Sequence, residues 1–240
     1  MIYPLYRRGT FAVLAGDSYP VSYTADADYV RFADGGTKPV DLCERVFSVQ
    51  VYATYRDHTV LVDGVDEAGL ARVMEAEWDG DWATENGFVH ENAYEYFKTV
   101  DLRDLRDYYE KQSDLLFTRW RAIHFARPVD GLRLRENWTG DLAVGGRPRS
   151  GVLAGEDGRV AAVTTRAEYL GHPCEVAGIA EDGSVHIHSL SLAGSRAEAN
   201  GFVLGDNGRW AKTVHIYDLA RYHEHHADLL FDRWRESTSS

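Results

Sequence analysis

The densest run of side chains capable of chemistry lies between Arg72 and Lys98. Those 25 positions carry Glu75, Glu77, Asp79, Asp81, Glu85, Glu91 and Glu95, with no Lys or Arg among them. Trp78, Trp82, Phe88, Tyr94 and Tyr96 are interleaved. Carboxylates beside indoles suit a protein interface, in which the aromatics anchor and the charges steer encounter and pair with Lys or Arg. Glu75, Glu77, Trp78, Asp79, Asp81, Trp82 and Glu85 are therefore the candidate partner-binding residues. The competing reading is a solvated loop with its tryptophans tucked into the core.

Other constellations are weaker. His223, His225 and His226 surround Glu224, and His186 and His188 flank Ile187. On a helix, His223 and His226 would share a face and could share a metal. The spacing is not that of a zincin, however, and polar surface histidines are the simpler reading, so no metal is assigned. Acid pairs such as Asp79 and Asp81 could do acid–base work only within a pocket. No G-x-S-x-G, P-loop, G-x-G-x-x-G or C-x-x-C stands in the chain, which names no catalytic residue or cofactor and argues against an enzyme.

The elements that must position these residues come in duplicate. Residues 86–121 and 200–235 align without a gap at an offset of 114, with 18 of 36 positions identical. Upstream, 49–62 can be laid over 174–187 at an offset of 125, and 16–32 over 146–162 at 130. The change from 125 to 114 places eleven extra residues in copy one, near 70–85. Copy one is read as 1–121, copy two as 127–236, and 122–126 as a short joint.

Each copy reads as antiparallel β-hairpins followed by a long amphipathic helix, an α+β unit. Short aromatic and β-branched runs at 11–14, 19–23, 29–32 and 47–53 predict strands. Leu70, Val73, Met74 and Trp78 predict a helix over 66–78 capped by Asp66. Leu105, Tyr108, Tyr109, Leu115, Leu116 and Trp120 predict a helix over 102–121, with its counterpart over 216–235.

Net charge is -12. Residues 1–121 hold 13 Lys and Arg against 22 Asp and Glu, giving -9, and the remainder holds 13 against 16, giving -3. Direct nucleic-acid binding is disfavoured, because the phosphate backbone wants a basic footprint. A basic protein partner is favoured. No apolar run approaches a membrane span and the N-terminus lacks a signal-peptide stretch, so a cytoplasmic location is expected. Cys43 and Cys174 read as buried thiols.

The closing pattern of each copy is Gly-Phe-Val, then Lys-Thr-Val, then a Tyr-bearing element, at 87–109 and 201–222. It resembles small actinobacterial proteins of the toxin-immunity kind. That resemblance implies a non-enzymatic acidic protein that occludes the basic active site of a cognate toxin or effector enzyme. The alternative is an enzyme or small-ligand-binding protein with its site between the two repeat units.

Overall fold

Alternation, rather than helical spacing, governs most of this chain. The computed structural model describes residues 7–24, 27–92, 94–125, 148–154, 158–180 and 182–238. It is 56% strand and 18% helix, all antiparallel among the described strands. The α+β expectation is therefore overturned: the protein is largely β.

Copy one begins with β1 (Gly9–Leu14), β2 (Asp17–Ser22), β3 (Tyr29–Phe32) and β4 (Thr37–Pro39). It continues with β5 (Arg45–Tyr55), β6 (His58–Val65), β7 (Leu70–Glu75), α1 (Gly80–Glu85), β8 (Val89–Asn92), β9 (Glu95–Asp101), β10 (Arg106–Asp114) and α2 (Leu115–Phe125). Five strands pair in the order β10, β5, β6, β7, β9. A 3-10 turn at Leu102–Asp104 carries the chain from the last of these to the first. The sheet thereby curls around one core, which includes Val51, Val62, Val73, Val100 and Leu105.

Copy two repeats this with β11 (Ser150–Ala154), β12 (Val160–Tyr169), β13 (His172–Ile179), β14 (Ser184–Ser189), α3 (Gly194–Ala199), β15 (Val203–Leu204), β16 (Trp210–His215), β17 (Leu219–Asp228) and α4 (Phe231–Thr238). Here the order is β17, β12, β13, β14, β16, again with a 3-10 turn, Ile216–Asp218, before the last strand. Even the bulge is kept: the register shifts between Val62 and Gly64 in one copy and between Val176 and Gly178 in the other.

The predicted helices over 102–121 and 216–235 are corrected to β10 and β17, with helix only beyond them. The reason lies in 110–114 and 224–228, which hold no residue larger than alanine that is apolar. Tyr108, Glu110 and Gln112 instead alternate into the buried face, with Tyr222 and Glu224 as their counterparts. Asp114 and Asp228 make the true helix starts. Asp114 Oδ1 accepts from Phe117 N at 2.8 Å, and Asp228 Oδ1 from Leu230 N at 2.8 Å and Phe231 N at 3.1 Å. The predicted helix over 66–78 is β7, paired on both sides. Asp66 caps a turn rather than a helix, accepting from Ala68 N and Leu70 N at 2.9 Å.

The offsets of 125 and 130 also fall. Val51 pairs with Glu110 and Thr165 with Glu224, so β5 lies over β12 at 114, and the same offset carries β6 onto β13, β7 onto β14 and α1 onto α3. There are no extra residues near 70–85. The extra length of copy one lies earlier. Phe11 pairs with Phe47 and Leu153 with Ala161, so β1 matches β11 at an offset of 142, and copy one has 28 more residues between that strand and β5, among them β2, β3 and β4. Residue 126 of the expected joint, and the start of copy two at 127, lie outside the described residues, whereas 122–125 continue α2.

The two curled sheets join edge to edge. Lys111 pairs with His225, Tyr109 with Ala227 and Ser113 with His223. Lys111 and His225 are themselves equivalent positions, so a pseudo-twofold axis passes through that pair. The helices cross over it. Phe117 and Trp120 of α2 complete the core of copy two, and Phe231 of α4 completes that of copy one. The ring of Phe231 stacks on Tyr108 at 4.5 Å, and Phe117 lies 5.2 Å from Tyr222. Neither core is complete without the other copy's helix, so the duplication makes one body.

Two buried carboxylates flank the axis. Glu110 receives Arg7 at 3.0 Å and Arg159 at 2.6 Å. Glu224, its equivalent, receives His226 at 2.8 Å and lies 3.3 Å from Arg45 and 3.4 Å from Arg149. Arg159 is the equivalent of Arg45, and Arg149 of Arg7, so each cluster draws one arginine from each copy. Burial raises the Glu224 carboxyl, but the His226 hydrogen bond and the two guanidiniums hold it below its ordinary value. Buried ion clusters add little net stability, yet breaking one leaves costly uncompensated charge. A one-residue slip of either strand would turn its glutamate to the other face, so the clusters fix register.

Candidate functional site

The acidic aromatic surface is built at the far end of copy one from the axis strands, where β7 ends, α1 begins and the β8–β9 hairpin turns. Its foundation is Glu75, which is buried and not a contact residue. Its carboxylate accepts from Glu77 N at 2.5 Å and from Trp78 N at 2.9 Å. Those bonds hold a tight turn in which Trp78 adopts φ 65°. A left-handed conformation is costly for a bulky residue and marks a place where the chain is held against its preference.

The turn points Trp78 outward. Its side chain is 79% exposed, and its ring meets Tyr94, 73% exposed, edge-on at 6.3 Å. Val89, also exposed, lies in the same hairpin as Tyr94. Asp79 caps α1 by accepting from Trp82 N at 2.9 Å, and its other oxygen is 3.8 Å from His58 Nε2. Trp82 is half-buried: His58 stacks on it at 4.0 Å and Phe88 lies at 5.3 Å. Glu77 turns back to accept from Thr59 N at 2.9 Å. Burial opposes ionisation of Glu77, but the Thr59 hydrogen bonds and His58 prevail and hold its carboxyl below the ordinary value. Gly80 is packed so closely that a Cβ there would stand 2.9 Å from the Tyr96 hydroxyl, which seats the start of α1 on β9.

Of the seven residues nominated by sequence, Trp78, Asp79 and Asp81 are exposed, at the turn before α1 and in its first turn. Glu85 is exposed at the opposite end of α1, Glu75 lies beneath the turn, and Glu77 and Trp82 support it. Asp81 and Glu85 have no ion-pair partner among the described residues. Tyr94, which meets Trp78, and the exposed Glu91 and Glu95 of the same hairpin were legible only as members of the acidic run. Glu91 pairs with Arg72 at 2.7 Å.

The remaining candidates separate. On β17, His226 faces Glu224, whereas His223 and His225 point to the other side of the sheet. Burial drives His223 down to about 4 and His225 down to about 3, so both are neutral at neutral pH. His186 and His188 share one face of β14, their rings 5.1 Å apart, opposite the buried Val185 and Ile187. Among the described residues, no three His, Cys, Asp or Glu side chains converge as metal ligands. Cys43 and Cys174 are free and buried, and burial pushes the Cys174 thiol up to about 12, which suits packing rather than reactivity. No described helix is long and apolar enough to cross a membrane.

A second feature lies where the alternative reading put a site, between the two repeat units, but none of its residues was named from sequence, because its parts lie far apart in the chain. Between the two copies is a cavity of about 280 Å³, lined by Arg7, Arg159, Glu110, Tyr108, Ala161 and His226 among others. Comparison of the chain with protein-family models, curated proteins and solved structures finds no match.

Proposed function

We propose that this is a binding protein whose copy-one end docks on a cationic protein surface, with Trp78 and Tyr94 as anchors and Asp81, Glu91 and Glu95 around them. Blocking a basic enzyme cleft is the use that this chemistry and the toxin-immunity resemblance favour. The observation that carries the reading is the treatment of Trp78. A buried carboxylate secures a left-handed turn whose effect is to expose an indole beside acids. At the equivalent position of copy two, Leu192 is buried at 4% exposure, below a turn closed by Ser189 Oγ at 2.7 Å. The fold does not require the outward residue; copy one alone presents it.

The test is capture of a basic protein from extracts of the native host on immobilised wild-type protein, on Trp78→Ala and on Asp81→Lys/Glu95→Lys. Asp79 and Glu75 are left intact because they hold the turn and helix. A central interface tryptophan contributes about 2 kcal/mol or more, so Trp78→Ala should weaken the complex by roughly 30-fold or more. The charge reversals should slow association and flatten its salt dependence. Equal capture by all three proteins, at unchanged melting temperature, would remove this surface from consideration.

A further inference from the structure

The duplication supplies an internal control for the cavity between the copies. Under the offsets fixed by the strand registers, each lining residue has a counterpart around the mirror position: Tyr222 for Tyr108, Glu224 for Glu110, Arg45 for Arg159, and Asp114 for Asp228. Two counterparts differ greatly in size. Where the cavity has Leu153 and Ala161, copy one has Phe11 and Phe47.

Those two rings fill the mirror position. They stack at 5.8 Å, with the Arg45 guanidinium 4.5 Å over Phe47 and Arg7 5.1 Å over Phe11. Phe47 is buried. Arg45, held beside Glu224, thus covers an aromatic ring on one side of the axis, whereas its counterpart Arg159, held by Glu110, lines a cavity on the other. With Ala161 standing where copy one has Phe47, one ring's volume is missing from the cavity wall.

We propose that this cavity is a binding site for a small, uncharged, planar aromatic molecule, its ring taking the place beside Arg159 that the Phe47 ring takes beside Arg45. Size agrees: a cavity of about 150 Å³ holds benzene, so 280 Å³ accommodates one or two fused rings. The chemistry agrees as well. Guanidinium faces stack on aromatic rings, and Arg159 keeps its bond to Glu110 while doing so, as Arg45 keeps its place beside Glu224. Both wall arginines, Arg7 and Arg159, are already bonded to the Glu110 carboxylate, which favours a neutral ligand over an anion. Leu153, 43% exposed, joins the wall to the solvent. The site does not touch the acidic surface around Trp78, so either proposal can fail while the other stands.

The experiment measures binding of indole and benzamide by calorimetry and ligand-observed NMR to the wild-type chain, to Ala161→Phe and to Leu153→Phe. Cyclohexylmethanol serves as a saturated ring of similar size. The wild type should bind both aromatic probes, with cyclohexylmethanol at least about fivefold weaker. Ala161→Phe, which rebuilds the filled side, should weaken the aromatics by tenfold or more at an unchanged or higher melting temperature. If Ala161→Phe misfolds, Leu153→Phe must show the loss instead. The proposal is overturned if millimolar indole and benzamide do not bind, if the folded phenylalanine variants bind as the wild type does, or if the saturated ring binds equally well.

Discussion

Residues 75–85 and 189–199 follow the same route: the end of an inner strand, a capped turn, then a six-residue helix that seats an alanine in the core. The side chains differ almost throughout. Copy one has Glu75 under the turn, Trp78 outside and Trp82 packed against the core, whereas copy two has Ser189, a buried Leu192 and Arg196. Extended to 95 and 209, the first stretch holds seven acids and no Lys or Arg, and the second Arg196 and Arg209 against Glu198 and Asp206. The backbone is thus compatible with a neutral, inward-turned version of itself. What copy one adds, an outward indole, has no counterpart in the other copy, where Leu192 is buried. The central cavity teaches the same lesson with the copies exchanged: there copy one is filled by Phe11 and Phe47, and copy two, with Leu153 and Ala161, is open.

The largest expected effect tests the exchange of helices. Phe231→Ala and Phe117→Ala each remove a fully buried ring and should cost about 3–5 kcal/mol in denaturant unfolding. Hydrogen exchange should show the first loosening strands of copy one and the second strands of copy two. Loosening confined to the mutated copy would break the crossed-helix arrangement. Next, Glu110→Gln leaves Arg7 and Arg159 beside a neutral group. Because both arginines are partly exposed, the loss should be about 2–3 kcal/mol, read from the same titration.

The contrast between the two turns can be sharpened directly. Leu192→Ala should cost about 2–3 kcal/mol, whereas Trp78→Ala should change stability by less than about 0.5 kcal/mol. Comparable losses at both positions would mean that Trp78 is structural after all.

The smallest effect is electrostatic. His223 and His225 fall from an ordinary 6.5 to about 4 and about 3 in the fold, so the unfolded chain binds more protons between those values. The stability that follows from keeping them neutral is complete above pH 6.5 and declines as pH falls below it. Glu77, Glu175 and Asp101 have lowered values, so their contribution is complete above about pH 4.5 and is lost only on further acidification. Melting temperature should therefore already decline between pH 6.5 and 4.5, and His225→Gln should flatten that decline. An unchanged slope would remove the buried histidines as its source.

Much of the site was legible because it rests on local composition. An acid run without Lys or Arg, studded with tryptophans, identifies a charged surface wherever it folds, and Trp78, Asp79 and Asp81 are exposed. Glu75 was not legible as a support, because a carboxylate that caps a turn is the same letter as one that faces solvent. The strands at 11–14, 29–32 and 47–53 were read correctly from alternation and turn residues. β10 and β17 were misread because their inward side chains are Glu110, Gln112 and Glu224. A buried polar face erases the period-two signal, and the flanking Leu, Tyr and Trp then fit helical spacing by accident.

The amino-acid order by itself determined that one unit is used twice, that copy one carries the acid excess, and which residues crowd its end. These are properties of composition and identity along the chain. Only the tertiary structure decided that the offset of 114 runs back to β5 and β12 and gives way to 142 at β1 and β11, that each helix completes the other copy's core, and that Glu110 and Glu224 draw arginines from both copies. These depend on pairings between residues far apart in the chain, where hydrogen-bond register, rather than local preference, selects the neighbour.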